Sequence, residues 1–255
     1  MVNMSEYTVA VLQARMSSSR LPGKVMMKVN GQPMIYWQIL RILESKRIDR
    51  LVVATSIDPT DDALVDFLES KSVIVHRGSL QNVLSRFTEI SSKFPCDALI
   101  RLTGDCPLVM PKLIDSMIEK FYSKNVDYLS NTLELTFPDG LDVEILDSKV
   151  LGRLAAFVLD QKELEHVTSG IYKRPDDFSL LNFLNTSDQS AERWTVDYQE
   201  DIDFIRAIFL EFLGREKSFT YEDVMGFLNS HPMLRAKNSR HSSRGHYVRP
   251  ANMDN

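Results

Sequence analysis

The chain has 255 residues, 44% of them hydrophobic and 25% charged, with a net charge of −5 at pH 7. That length suits one large α/β domain whose core closes without disulfide or metal staples. The acidic balance argues against general nucleic-acid binding. No apolar run approaches the roughly 20 residues of a membrane span, and the start MVNMSEYTVAVLQ lacks a basic leader region and a cleavage site.

Residues 8–13 (TVAVLQ) form an apolar run that stops at a polar, serine-rich loop, the pattern of a strand buried in a parallel sheet. Ile35, Ile39, Ile42 and Leu43 then recur on one face of a helix opened by Pro33. A second strand is expected over 51–55, a helix over 61–70 and a third strand over 72–76. Val83, Leu84, Phe87 and Ile90 mark a helix over 80–92. A fourth strand, 98–102, runs into Thr103-Gly104-Asp105-Cys106-Pro107, and a helix over 111–122 and a strand near 126–130 follow. This alternation implies right-handed βαβ units and a parallel sheet, with the ligand crevice at the carboxyl ends of the strands. The second half is less regular. Strands are expected over 141–146, 178–184 and 193–196, and helices over 148–159, 161–172, 199–213 and 220–229. From 233 to 255 the chain is rich in Ser, Asn, Arg and His without periodicity and reads as a mobile tail. Its five basic residues against Asp254 make it +4, leaving the remainder near −9.

The loop after the first strand concentrates cations: Arg15, Arg20 and Lys24, with three serines (Ser17, Ser18, Ser19) and a Pro22-Gly23 turn. Guanidinium forks, an ammonium, hydroxyls and loop amides match a polyphosphate. The loop is not a Walker A motif, because Val25 follows Lys24. A solvated basic loop is the plainer alternative. Asp105 and Asp197 each end a strand before a helix, where a carboxylate either binds Mg²⁺ beside a phosphate or caps a turn or helix. Asp142 and Glu144 lie two apart on an extended segment and share a face. His166, on a helix, is a proton shuttle, a hydroxyl contact or an ordinary structural histidine. Arg77, at the end of the third strand, points toward the expected crevice. Cys96 and Cys106 form no CxxC pair and read as small buried hydrophobes of a reducing cytoplasm.

Taken together, the segments Gln13-Ala14-Arg15 to Lys24, Arg101-Leu102-Thr103-Gly104-Asp105-Cys106-Pro107-Leu108, Phe137-Pro138-Asp139-Gly140-Leu141-Asp142-Val143-Glu144, Glu165-His166-Val167-Thr168 and Arg193-Trp194-Thr195-Val196-Asp197 resemble the cytidylyltransferases that make CMP-activated acidic sugars. The nearest branch is that of spore coat polysaccharide biosynthesis protein F, which is related to the acylneuraminate and 3-deoxy-manno-octulosonate branches. The resemblance implies a three-layer α/β/α sandwich with a mainly parallel, Rossmann-like sheet over 1–232. It also implies an acceptor-binding and homodimer element over about 133–190. By motif, Arg15, Ser18, Arg20 and Lys24 would hold the phosphates of CTP, Thr103 would contact the base, and Asp105 and Asp197 would bind Mg²⁺, while Arg77, from its place at the strand end, would contact base or phosphate. Asp142, Glu144 and His166 would face the sugar acid. The implied reaction is attack by a sugar hydroxyl on the α-phosphorus, with Arg15, Lys24, Asp105 and His166 at the chemistry. Two departures from the branch stand out. Ser169-Gly170 replaces a proline after Thr168, and Tyr198-Gln199 replaces Thr-Pro after Asp197. A glycosyltransferase using a nucleotide-sugar donor and a non-catalytic nucleotide-binding protein of a polysaccharide gene cluster are the rival readings.

Overall fold

The computed structural model describes residues 6–157 and 160–238. In chain order the elements are strand β1 (Thr8–Gln13), the hairpin strands β2 (Lys28–Val29) and β3 (Gln32–Pro33), helix α1 (Met34–Ile42), β4 (Arg50–Ser56), α2 (Asp62–Ser70), β5 (Val75–Gly78), α3 (Val83–Lys93), β6 (Ala98–Thr103), α4 (Pro111–Lys124), β7 (Tyr128–Ser130), β8 (Glu144–Asp147), α5 (Ser148–Leu154), α6 (Gln161–His166), α7 (Ser169–Tyr172), β9 (Leu180–Asn182), α8 (Gln199–Glu211), α9 (Tyr221–Ser230) and α10 (Pro232–Asn238).

Seven strands form one sheet in the order β5-β4-β1-β6-β8-β7-β9. The first four run parallel, β8 is antiparallel to both neighbours, and β9 is parallel to β7. The sheet is therefore mainly parallel, as the βαβ pattern requires. Helices cover both faces. Ile35, Ile39 and Ile42 of α1, Leu64 and Leu68 of α2, and Ile114, Met117, Ile118 and Phe121 of α4 pack on Ala10, Leu12, Val53, Ile100 and Leu102. On the other face α3, α5 and α7 bury Val83, Phe87, Leu151 and Ile171 against Val9, Val11, Val52 and Leu99. Successive strand residues alternate between the two cores, which is the period of two read from a strand buried on both sides. A third core ties α8 and α9 to the end of the sandwich through Trp194, Val196, Ile205, Phe209, Phe219 and Leu228.

The structure alters several boundaries. The third strand lies at Val75–Gly78 rather than 72–76, because Lys71 to Val73 close the end of α2 with Ser72 at φ 58°. The run 161–172 is two helices rather than one, broken at Val167, whose φ of 47° no helix accommodates. Residues 193–196 are not a strand. Arg193 makes one bridge to Asp139, and the apolar residues Trp194 and Val196 are buried in the third core instead. The segment read as a tail begins as helix α10, and residues 239–255 lie outside the described residues.

Candidate active site

The first loop folds back on itself before reaching Lys24. Ala14 N–H donates to the Ala54 carbonyl at 3.1 Å, and Met16 N–H donates to Asp61 Oδ1 at 2.7 Å. Asp61 is fully buried, and its second oxygen accepts from Thr55 Oγ1 and Ser56 N–H. Gly23 closes the loop by donating to the Met16 carbonyl at 2.8 Å, with φ 71°, a left-handed conformation that suits glycine. A second loop, from β6, lies against the first. Gly104 N–H bonds to the Gln13 carbonyl at 2.8 Å, and a Cβ at 104 would stand 3.0 Å from Ala14 Cβ.

Lys24, only 8% exposed, joins three parts of the chain that are distant in sequence. Its ammonium donates to Asp105 Oδ2 at 3.1 Å, to Asp197 Oδ1 at 3.0 Å and to the Val196 carbonyl at 2.7 Å. Burial alone would lower its pKa, but the charges of Asp105 and Asp197 and their hydrogen bonds hold it above the ordinary 10.5. Burial likewise pushes Asp105 up, and the Lys24 charge with hydrogen bonds from Thr103 and Lys24 more than reverses it, leaving the carboxyl below 3.8. Arg20 reaches Asp197 Oδ2 at 2.7 Å and lies over the Tyr198 ring. Arg20 and Lys24 of the loop thus meet Asp105, at the end of β6, and Asp197, which a non-strand segment brings to the same place.

Asp197 does not cap α8. Asp201 takes the capping hydrogen bonds, accepting from the N–H groups of Asp197 at 2.9 Å and Tyr198 at 3.0 Å. The Asp197 carboxylate is left to face Lys24, Arg20 and Arg193. Arg193, buried, braces this corner by reaching Asp139 at 3.3 Å and Asp201 at 2.8 Å as well.

Arg20, Lys24, Asp105 and Asp197 line a crevice of about 300 Å³, whose other walls include Arg15, Arg86, Arg101, Thr103, Glu165 and His166, with Gln13, Ser18 and Ser19 beside them. Arg15 pairs with Glu165 across it at 3.4 Å, and His166 is exposed at its rim. Arg77, Asp142 and Glu144 are not among the lining residues. The Arg77 guanidinium is held by the carbonyls of Ser56 and Asp58 and by Asp62 at 2.7 Å, in the turn between β4 and α2. Glu144 is buried and accepts hydrogen bonds from Arg101, Tyr128 Oη at 2.5 Å and Thr168 Oγ1 at 2.6 Å. It therefore supports Arg101 and the α6–α7 corner from behind the crevice. Sequence reasoning gave no role to Arg86 or Arg101. The available signal was an arginine inside the apolar row of α3, and a polar residue two before Thr103 on a buried strand. Cys96 and Cys106 carry free thiols, and burial pushes the Cys106 thiol well above its ordinary value.

The arrangement fits a divalent cation in one respect that can be seen directly. Two carboxylates converge on one point, and a cation, the Lys24 ammonium, already occupies that point. Among the described residues no group of three or more His, Cys, Asp and Glu side chains gathers as a metal cage. A divalent cation held by the two carboxylates would therefore complete its shell with water and substrate oxygens.

The match to known proteins decides the family. A cytidylyltransferase family model aligns with residues 9–223. The chain belongs to the cytidylyltransferase family. This nucleotidyltransferase is 32% identical to spore coat polysaccharide biosynthesis protein SpsF of Bacillus subtilis over 230 residues, 87% of this chain and 94% of that one. A 3-deoxy-manno-octulosonate cytidylyltransferase of Chlorobium chlorochromatii is 29% identical over 117 residues, 46% of each chain. A solved cytidylyltransferase from Leptospira borgpetersenii superposes with a TM-score of 0.87 at 28% identity, covering 94% of this cytidylyltransferase and all of that chain. No helix among the described residues is long and apolar enough to cross a membrane.

Proposed function

We propose that the enzyme transfers CMP from CTP to a hydroxyl of an acidic sugar of the nonulosonate or octulosonate type. The products are a CMP-sugar for surface polysaccharide synthesis and pyrophosphate. The observation that carries this reading is the convergence of Arg20, Lys24, Asp105 and Asp197 at one end of a crevice that Arg15 and His166 also line. The choice of CTP and of a sugar acid is supported by the likeness to the 3-deoxy-manno-octulosonate cytidylyltransferase of Chlorobium, and the polysaccharide context by the likeness to the Bacillus spore coat polysaccharide protein.

In this reading the acceptor oxygen forms a bond to the α-phosphorus as the bond to the bridging oxygen of the β-phosphate breaks. The hydroxyl proton passes to solvent or to His166 at the rim. Arg15, Ser18, Arg20 and Lys24 hold the phosphates, and Arg15 and Lys24 offset the charge that grows on the departing pyrophosphate. Asp105 and Asp197 would hold Mg²⁺, which when bound draws charge from the phosphate oxygens and makes the acceptor hydroxyl more acidic. Thr103 stands at the end of the strand beside the first loop and contacts the nucleotide base. Most of the rate enhancement then comes from positioning and fixed charge. Residues 133–190 supply the acceptor side through Glu165 and His166, and serve as the homodimer element. Two free thiols accord with a cytoplasmic enzyme.

The test is pyrophosphate release with CTP and Mg²⁺ against a panel of sugar acids, including 3-deoxy-manno-octulosonate and N-acetylneuraminate. Release with at least one acid and mass-spectrometric detection of its CMP conjugate are expected. Release only with neutral or phosphorylated sugars would replace the acceptor. Undiminished turnover in the Asp105→Ala, Asp197→Ala double variant would remove the metal role.

A further inference from the structure

Arg86 sits on α3 in the row Val83, Leu84, Phe87 and Ile90 that packs on the sheet. Its side chain is fully buried, yet it lines the crevice next to Gln13, Arg15 and Arg101. One nitrogen, Nη1, donates to the Ala54 carbonyl at a long 3.4 Å. Nε and Nη2 have no hydrogen-bond partner among the described residues. The fold makes room for this side chain at a definite place. A Cβ at Gly78 would stand 2.7 Å from Arg86 Cγ, so β5 ends in the one residue that lets the stem pass.

A guanidinium held this way is unfavourable in the free protein. A buried charge needs a close ion pair or a full set of hydrogen bonds, and among the described residues Arg86 has only the long bond to the Ala54 carbonyl and the Asp61 charge acting without a direct contact. Burial and the neighbouring Arg15 charge draw its pKa down to about 10, against a smaller opposing pull from Asp61, so it remains a cation at neutral pH. Helix α3 offers no relief, because the residues around Arg86 on its buried face are apolar. Gln13 Oε1 is a second buried polar atom of the same wall without a partner. It is an acceptor, where the free positions on Arg86 are donors.

We infer that Arg86, with Arg15 beside it, forms an anion subsite of the crevice that takes a carboxylate or phosphate group of a substrate. Gln13 Oε1 accepts a hydroxyl or amine of the same ligand. Lys24 and Arg20 serve the Asp105–Asp197 end, and this subsite stands apart from them on the α3 side. It rests on the proposed reaction only for the sources of the anion: a phosphate of CTP or the carboxylate of the acceptor.

The experiment uses the full chain with Arg86→Met and Arg86→Lys. Melting curves are recorded alone, with pyrophosphate, with CTP and with 3-deoxy-manno-octulosonate, and KM is measured for each substrate. Methionine keeps an unbranched stem and removes the unpaired charge, so the free variant is expected to melt no lower than wild type. Its stabilisation by one ligand should vanish, with the matching KM raised at least about tenfold, the scale of a lost hydrogen bond to a charged group. Loss of the pyrophosphate or CTP response identifies a phosphate, and loss confined to the sugar acid identifies a carboxylate. Lysine, a point charge without the fork, should fall between. The inference is overturned if Arg86→Met melts lower while every ligand response persists, which marks a packing role. It is equally overturned if Arg86→Met melts no lower than wild type and still leaves all ligand responses and both KM values as in wild type. A wild-type protein that binds pyrophosphate through Arg86 but never turns over CTP would refute the proposed reaction and leave the subsite standing.

Discussion

Lys24→Met keeps the side-chain stem and removes only the ammonium. Three acceptors then lose their donor: Asp105 Oδ2, Asp197 Oδ1 and the Val196 carbonyl. The two carboxylates, with side chains 29% and 11% exposed, are left facing each other. Removing one member of a buried ion pair costs about 3–5 kcal/mol. Two features reduce that here. Arg20 and Arg193 still neutralise Asp197, and Asp105 is open enough to be hydrated. A loss of about 2–3 kcal/mol is therefore expected, which for a domain of this size is roughly a 5–10 °C fall in Tm. Thermal unfolding monitored by circular dichroism measures it. The second readout is Mg²⁺. In wild type the ammonium competes for the point where the carboxylates converge, and in the variant nothing does. Millimolar Mg²⁺ without nucleotide should raise the Tm of Lys24→Met more than that of wild type, while turnover stays down by about 10²–10³-fold. A variant that melts with wild type, or a Mg²⁺ shift equal in both proteins, would refute the convergence of charges on which this reasoning depends.

Gly140 has φ 111°, and a Cβ there would lie 2.5 Å from both Trp194 C and Thr195 N. Gly140→Ala should lower turnover more than nucleotide binding, because it pushes away the segment that carries Asp197 and leaves the first loop intact. Steady-state kinetics beside CTP calorimetry checks this. Glu144→Gln leaves Arg101 without its buried carboxylate and should cost about 3 kcal/mol or more, read as a lower urea midpoint at unchanged m-value. The pH dependence follows from the Lys24–Asp105 pair. Asp105 titrates below 3.8, so its stabilisation is complete above 3.8 and is lost as pH falls through the lowered value. Lys24 titrates above 10.5, so its share is complete below 10.5 and is lost as pH rises through the raised value. The stability gap between wild type and Asp105→Asn should thus stay constant through neutral pH, narrow in acid as Asp105 is protonated, and narrow again in strong alkali as Lys24 loses its charge. A gap that narrows near neutrality would contradict the pairing.

Most of the parallel half of the fold was legible because β1, β4 and β6 are largely apolar runs between polar turns and each helix carries its apolar residues on one face, whereas the edge strand β5, Val75–Gly78, has no such run and its bounds differ from those the pattern suggests. Local pattern failed where tertiary contacts decide. Residues 161–172 keep helical spacing throughout, but burial of Val167 and the hydrogen bond from Thr168 to Glu144 break the helix at a left-handed residue. The apolar Trp194 and Val196 look like strand residues, yet the surface they bury belongs to α8 and α9. The same division holds in the crevice. Arg15, Arg20, Lys24 and Asp105 stand at a strand end or in a charged loop, where position alone suggests chemistry, and Asp197 follows a run that reads as a strand but does not form one in the structure. Arg86 and Arg101 sit inside buried elements, where an arginine resembles a packing residue until the sheet is assembled. Arg77 shows the opposite error. It ends a strand as a site residue would, but the carbonyls and Asp62 of the neighbouring turn hold it.

The two carboxylates reach the same lysine by different means. Asp105 follows β6, in the middle of the sheet, and its position comes from the same parallel ladder that places the first loop. Asp197 has no such ladder. Its segment meets β6's loop through the hydrogen bond from Val196 N–H to the Asp105 carbonyl at 2.9 Å, and meets residue 139 through a single bridge. The rest of its position comes from the packing of Trp194 and Val196 in the third core and from Arg193, which joins Asp139, Asp197 and Asp201. The parallel half therefore carries the basic loop and one carboxylate. The second carboxylate, and with it the pair that meets on Lys24, is in place only when α8 and α9 are docked on the end of the sandwich. Mutations in that distant aromatic packing act on the site through Asp197, whereas those under α1 reach it through Val25 beside Lys24 and through the Gln38 bond to the Thr103 carbonyl.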